Sequence, residues 1–287
     1  MIIGFIGVGT MGTPIVLNLL KKGFSVKIYA RRSDTENVKK VVEKGGTLLK
    51  SLKEIGSNAD VVMTCLPSPA ASEEVILGEN GVLKSMKKGS IIVELSTVPA
   101  SLIRKIGEVA VHHGVEVLDA PISGGRKRAE EGTLTIMVGG KKEVFNKCLP
   151  IFQAIAQRIY HVGELGNGEK IKLINSLIAN INLLVALEGL KIARKSAIDL
   201  LMLHEIIDNS TGQSWMWTNW IKSILKNESL GVKLEIMLKD LKLAFSMANE
   251  IGFEAKFCKL ASEIIKESVE FFSGDADASI LYQSSER

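Results

Sequence analysis

At 287 residues, 46% hydrophobic and 24% charged, the chain has the length of two domains and ample apolar content for packed cores, which excludes a disordered or low-complexity chain. A net charge of +4 is too slight for a dedicated nucleic-acid binder and leaves room for an anionic small molecule. Three scattered cysteines (Cys65, Cys148, Cys258) and four unpaired histidines give neither a disulfide framework nor metal-ligand spacing, so no metal is expected.

From the N-terminus, short β-rich runs alternate with amphipathic ones. Strands are expected at Ile2–Ile6, Ser25–Ala30, Asp60–Leu66, Ser90–Leu95, Val115–Asp119, Leu134–Val138 and Arg158–Val162. Helices are expected at Met11–Lys22, Asp34–Lys44, Ala70–Leu77, Pro99–His113 and Lys142–Ala156. Runs such as Val61-Val62-Met63 suit strands buried on both faces, and the alternation predicts a mostly parallel sheet covered by helices on both sides.

Near residue 164 the texture changes. After the cluster Gly163-Glu-Leu-Gly166-Asn-Gly168, helical periodicity runs to the end, over about 168–196, 199–209, 213–226, 232–251 and 254–273. The first of these would be about 40 Å long and would carry the chain from an N-terminal domain, 1–164, into an all-helical one, 165–287. The stretch 171–190 carries Lys172, Asn175, Asn180, Asn182 and Glu188, which argues against a membrane span. Met1–Ile6 lacks the basic flank of a signal peptide, and a cytoplasmic protein is expected.

Gly7-Val8-Gly9-Thr10-Met11-Gly12 is a G-x-G-x-x-G turn between a strand and a helix. The first glycine permits the turn, the second admits a pyrophosphate to the backbone, and the third lets helix pack on strand. The helix N-terminus adds free N–H groups and a positive dipole end. At the end of the second strand, where a carboxylate would bond the ribose 2′-hydroxyl of NAD, stand Ala30, Arg31 and Arg32. Two guanidiniums suit a 2′-phosphate, so NADP(H) is expected; the alternative is a pair of solvated arginines. Cys65-Leu66-Pro67 and Ser96-Thr97 close two further strands and could wall the cofactor cleft. Ser96 and Thr97 could equally cap the helix near Pro99.

Two later features carry chemistry. Ser123-Gly124-Gly125 offers a hydroxyl and unobstructed amides to a carboxylate, or is a plain turn. Lys172, with Asn175 at i+3 and Ser176 at i+4 on one face of the long helix, could exchange a proton with a carbonyl or hydroxyl oxygen; the alternative is a surface lysine.

Together these residues resemble the β-hydroxyacid dehydrogenase family, which includes 3-hydroxyisobutyrate dehydrogenase, tartronate semialdehyde reductase and glyoxylate/succinic semialdehyde reductases. The motifs are Gly4–Gly12, Asp119–Gly125, Gly163–Lys172 and Lys239–Ala244, in family order over nearly the whole chain. The resemblance implies a Rossmann-like N-terminal domain, a long interdomain helix and an all-α substrate and dimerisation domain, working as a homodimer or homotetramer. It implies hydride transfer between NADP(H) and a small carboxylated 3-hydroxy acid or semialdehyde. Lys172 would be the catalytic lysine, aided by Asn175 and Ser176, and Ser123, Gly124 and Gly125 the carboxylate loop. Gly7, Gly9, Thr10, Met11, Gly12, Arg31, Arg32, Leu66, Pro67, Thr97 and Lys239 would hold the cofactor, and Asp240 would help order the site. Two departures stand out: Ser176 replaces the family's usual Asn, and Ala30 replaces the Asn before the cofactor arginine. An NADPH-dependent glyoxylate or succinic semialdehyde reductase and a non-catalytic NADPH-binding protein are the alternatives. The aromatic run Gln213–Trp220 is either a core stripe or a pocket wall.

Overall fold

The computed structural model describes residues 1–282. The chain divides into two compact units between Lys172 and Leu173.

The first unit opens with β1 (Ile2–Ile6), α1 (Gly12–Lys21), β2 (Ser25–Tyr29), α2 (Glu36–Glu43), β3 (Thr47–Leu48) and α3 (Leu52–Asn58). It continues with β4 (Val61–Thr64), α4 (Pro69–Leu77), β5 (Ile91–Glu94), α5 (Ala100–His112) and β6 (Glu116–Asp119). The six strands pair in parallel in the order β3-β2-β1-β4-β5-β6. Successive side chains leave a strand on opposite faces. Phe5, Met63, Val93 and Leu118 therefore enter one core, while Val62, Ile92 and Val117 enter the other. This two-sided burial is why β4 and β5 are continuous apolar runs. The strand order reverses between β1 and β4, and open α/β sheets bind ligands beyond the strand ends at such a point.

β7 (Ile122–Ser123), α6 (Gly125–Glu131), β8 (Leu134–Val138), α7 (Lys142–Gln153) and β9 (Ala156–His161) follow. The strands form a separate sheet, β7 antiparallel and β9 parallel to β8. Leu134–Val138 thus belongs to this small sheet and not the main one. Pro121, just past β6, has no N–H to continue a ladder, and its carbonyl accepts from Met137 of β8 instead (3.2 Å).

α8 (Asn167–Lys195) starts in the first unit and continues into the second. The second unit adds α9 (Leu200–Asp208), a π-helical turn Met216–Ile221, α10 (Lys222–Leu225), α11 (Leu234–Glu250) and α12 (Lys256–Phe272). Leu183, Leu187 and Leu190 of α8 pack with Trp217, Leu241, Cys258 and Ile265. Trp217 is core, with its indole N–H donating to the His204 carbonyl, whereas Trp215 is 45% exposed and meets Trp220 edge-on. The aromatic run is therefore part core and part surface. By length and mean hydropathy (1.6) α8 is apolar enough to cross a membrane, contrary to the sequence expectation. Its polar side chains do not outweigh its Ile and Leu content; core packing accounts for Leu173, Leu183, Leu187 and Leu190, while Ile174, Ile178, Val185 and Ile192 are exposed.

Candidate active site

The glycine turn is built as its spacing requires. Gly7 has φ +107°, and a Cβ there would stand 2.2 Å from the Cys65 carbonyl oxygen. A Cβ on Gly12 would stand 1.9 Å from the Gly7 carbonyl oxygen. At Gly9 a Cβ would meet nothing within 4 Å, so this stretch of backbone is open to a ligand. α1 has no side-chain cap and no acidic residue in its first turn, which leaves its N-terminal amides and dipole for an anion. The residues fit a dinucleotide pyrophosphate. Thr10 is exposed and Met11 half-buried beside the turn. Arg31 and Arg32, just past β2, are both exposed. A groove lined by residues of α1, α2 and α6, Lys21, Lys40 and Arg126 among them, shares only Thr10 with the expected site residues.

The loops after β4 and β5 are tied together. The Ser96 hydroxyl accepts from the Leu66 amide at 2.7 Å. The N-cap position of α5 is held by Pro99, which has no capping side chain, so neither Ser96 nor Thr97 stands there. Leu66 and Thr97 are half-buried, and Pro67 is exposed.

Beneath these loops lies a row of buried polar groups that sequence reasoning missed. Thr64, Glu94 and Asp119 are cross-strand partners at the ends of β4, β5 and β6, each 0% exposed. Glu94 Oε1 accepts from the Ser96 amide at 2.8 Å. Burial pushes its carboxyl above the usual range, and Ser96, Ser72 and Thr64 only partly oppose this. Glu94 Oε2 and the Ser72 and Thr64 hydroxyls are buried beyond the reach of water. Burial also raises Asp119, against the amides of Gly166 (2.8 Å) and Glu169 (2.9 Å) that its carboxylate accepts. Asp119 thereby fixes the start of α8 to β6. Gly168 makes the approach possible, since a Cβ there would stand 2.3 Å from the Met137 carbonyl oxygen and 2.8 Å from Asp119 Oδ2.

The raised Glu94 pKa has a sign that can be tested. The unfolded chain releases this proton near pH 4.5, while the folded protein holds it to higher pH. The contribution to stability is complete below pH 4.5 and is lost as pH rises through the folded value. Glu94→Gln does not ionise, so its melting temperature should gain on that of the wild type as pH rises above 4.5. Differential scanning calorimetry showing a constant difference would contradict this.

Four residues beyond Asp119, Ser123 ends β7, and Gly124 and Gly125 follow with φ of +133° and +68°. All three are half-buried. A Cβ on Gly125 would meet nothing within 4 Å, which leaves its backbone approachable. Lys172, in the second turn of α8, is also half-buried.

In the second unit, the Ser176 hydroxyl donates to Asp240 Oδ2 at 3.0 Å, and Lys239 pairs with Asp240 Oδ1 at 3.0 Å. Ser176 and Asp240 are buried, whereas Asn175 is half-buried. Ser176 thus serves Asp240. Buried Asn180, at i+4 from Ser176 and i+8 from Lys172, extends the polar stripe of α8; the sequence signal was its helical spacing.

Residues 2–163 match the family profile of the NAD-binding domain of 6-phosphogluconate dehydrogenase. Residues 166–284 match that described as the NAD-binding of NADP-dependent 3-hydroxyisobutyrate dehydrogenase. The 2-(hydroxymethyl)glutarate dehydrogenase of Eubacterium barkeri is 36% identical over 92% of this chain and 88% of its own. The L-threonate dehydrogenase of Cupriavidus necator is 30% identical over 97% and 94%. The structure of Mycobacterium tuberculosis 3-hydroxyisobutyrate dehydrogenase with L-serine superposes with a TM-score of 0.89 at 26% identity, covering 100% of this chain and 99% of that one. With a dinucleotide turn at the switch point of its sheet and relatives that match it nearly end to end, the chain belongs to the NAD(P)-dependent β-hydroxyacid dehydrogenase family.

Proposed function

We propose that the protein interconverts a short carboxylated 3-hydroxy acid and its semialdehyde with NADP(H), as a 3-hydroxyisobutyrate dehydrogenase-like enzyme. The observation that carries the reading is the linkage through Asp119, which ties the strand leading to Ser123 to the helix that bears Lys172. The nicotinamide, when bound, supplies or accepts the hydride. The Gly7–Gly12 turn, Leu66, Pro67, Thr97 and Lys239 would hold the cofactor, and Arg31 and Arg32 its 2′-phosphate. The Ser123 hydroxyl and the amides of Gly124 and Gly125 would anchor the substrate carboxylate. Lys172 gives a proton to the carbonyl oxygen on reduction and takes one from the hydroxyl on oxidation. Asn175 faces the substrate hydroxyl; Ser176 acts through Asp240. A glyoxylate or succinic semialdehyde reductase shares the same carboxylate anchor and differs only in the pocket.

Ser123→Ala tests the anchor. It should raise the substrate KM about tenfold, the worth of a hydrogen bond to a charged group, and leave the NADPH Kd unchanged. An unaltered KM and kcat would remove Ser123 from the site.

A second copy of the chain is the expected partner, in the cytoplasm. Exposed Ile174, Ile178, Val185 and Ile192 recur along α8, and Phe257, Leu260, Ile264 and Phe271 along α12. Both series keep heptad-like spacing, which suits helix-on-helix association. Light scattering should return a multiple of 31.2 kDa, and a monomer at working concentration would contradict it.

A further inference from the structure

Two fully buried glutamates grip the three-residue segment Ser96–Val98 at its two ends. Glu94 Oε1 accepts the Ser96 amide at 2.8 Å, and Glu169 Oε2 accepts the Val98 amide at 3.1 Å. Both side chains are 0% exposed. Each is anchored in turn to something rigid. Glu94 belongs to β5, which is paired on both sides in the sheet. Glu169 lies in the first turn of α8, and its own amide donates to Asp119 Oδ2 at 2.9 Å. From Ser96 the grip extends to the neighbouring loop, because its hydroxyl takes the Leu66 amide.

We infer that Glu94 and Glu169 are positioning residues that clamp Thr97 between two fixed amides and register it against Lys172. The inference rests on the reading above, in which Thr97 meets the cofactor and Lys172 moves the proton. One tether would let the segment pivot about a single bond. Two tethers on either side of one residue fix both the place and the orientation of its peptide groups. Burying a carboxylate is costly, and an amide at a loop would otherwise be satisfied by water. The second tether is also specific in where it comes from. Glu169 precedes Lys172 by three residues, less than one turn of the same helix. A shift of the cofactor loop and a shift of the lysine are therefore opposed by the same side chain. Hydride and proton must arrive at adjacent atoms of one carbonyl, and small misplacements there are expensive in rate.

The test compares Glu169→Ala with Glu169→Gln, which keeps an acceptor oxygen at the same reach. Two readouts need no turnover: amide hydrogen exchange of residues 96–98 in the free protein, and the NADPH Kd by fluorescence titration. The third is the primary deuterium isotope effect on kcat with NADPH labelled at the transferred position. Glu169→Ala should speed exchange about tenfold and weaken NADPH by about as much, the worth of one buried hydrogen bond. Its isotope effect should rise, because poor alignment slows the chemical step. Glu169→Gln should stay within about threefold of wild type throughout. Glu94→Ala should loosen the same amides. Wild-type exchange and Kd in Glu169→Ala would overturn the clamp, as would a Gln variant as damaged as the Ala one. If Glu169→Ala does not fold, Glu169→Asp, whose carboxylate stands one methylene back, carries the same comparison. Because exchange and Kd are read without catalysis, an active Lys172→Ala enzyme would sink the lysine reading and leave the clamp standing. An inactive Lys172→Ala enzyme beside a silent Glu169→Ala one would sink the clamp alone.

Discussion

Lys172→Ala should lower kcat by about 10²–10⁴-fold, the usual contribution of a positioned general acid–base group. The NADPH Kd should stay within about threefold, since on the proposed reading the pyrophosphate would meet the Gly7–Gly12 backbone and α1, not this helix. The loss corresponds to roughly 3–5 kcal/mol of transition-state stabilisation. Lys172→Arg sharpens the test. It keeps the positive charge and nearly the length, but a guanidinium does not give up its proton at working pH. It should be nearly as inactive as the alanine variant. An arginine enzyme close to wild type would mean that position 172 supplies only charge. An alanine enzyme within a few-fold of wild type would remove the lysine from the chemistry altogether.

The double variant Arg31→Ala/Arg32→Ala should weaken NADPH about 30- to 100-fold and leave NADH within about threefold. Hydrogen bonds to a charged partner are worth about 1.5–3 kcal/mol before solvent screening, and on the proposed reading the arginines would act on the one group that distinguishes the cofactors. Both side chains are exposed, so part of that energy is lost to water and salt. The NADPH preference should therefore shrink as ionic strength rises, and the double variant should lose that salt dependence. Isothermal titration with both cofactors at two salt concentrations checks this. An unchanged NADPH-to-NADH ratio would reduce Arg31 and Arg32 to solvated surface residues.

The parts of this fold that could be read from sequence are those whose physics is local or periodic. β1, β4 and β5 are buried on both faces, so each is an apolar run, and its shortness and Ile and Val content mark it as a strand. The glycine turn is legible because backbone contacts forbid a side chain at Gly7 and Gly12 at fixed spacing, with open backbone at Gly9 between them. Thr47–Leu48 and Ile122–Ser123 escaped because two-residue strands have no period. Leu52–Asn58 and Gly125–Glu131 escaped because each is about two turns long. In the site, Lys172 and Ser123 stand at motif positions with a recognisable chemistry, whereas Glu94 lies outside the motifs and Glu169, inside Gly163–Lys172, carries no chemistry that its position announces. A glutamate at a strand end or in a first helical turn ordinarily meets water. Only tertiary contacts show that these two are sealed beneath the loops. The one sequence signal was a charged residue interrupting the run Ile91-Ile92-Val93-Glu94-Leu95. Ser176 teaches the same lesson. Its spacing from Lys172 was plain, yet its partner Asp240 is 64 residues away.

The most direct test of the central claim is the initial rate of NADPH oxidation with a short semialdehyde carrying a free carboxylate, set against the methyl ester of the same compound. The reverse reaction would use NADP with the matching 3-hydroxy acid and its ester. The carboxylate should turn over, with kcat/KM for the ester lower by about 10²-fold from loss of a charge-assisted anchor and slower rates with NADH throughout. Equal rates for acid and ester, or no turnover of any carboxylated substrate by a protein that still binds NADPH, would contradict it.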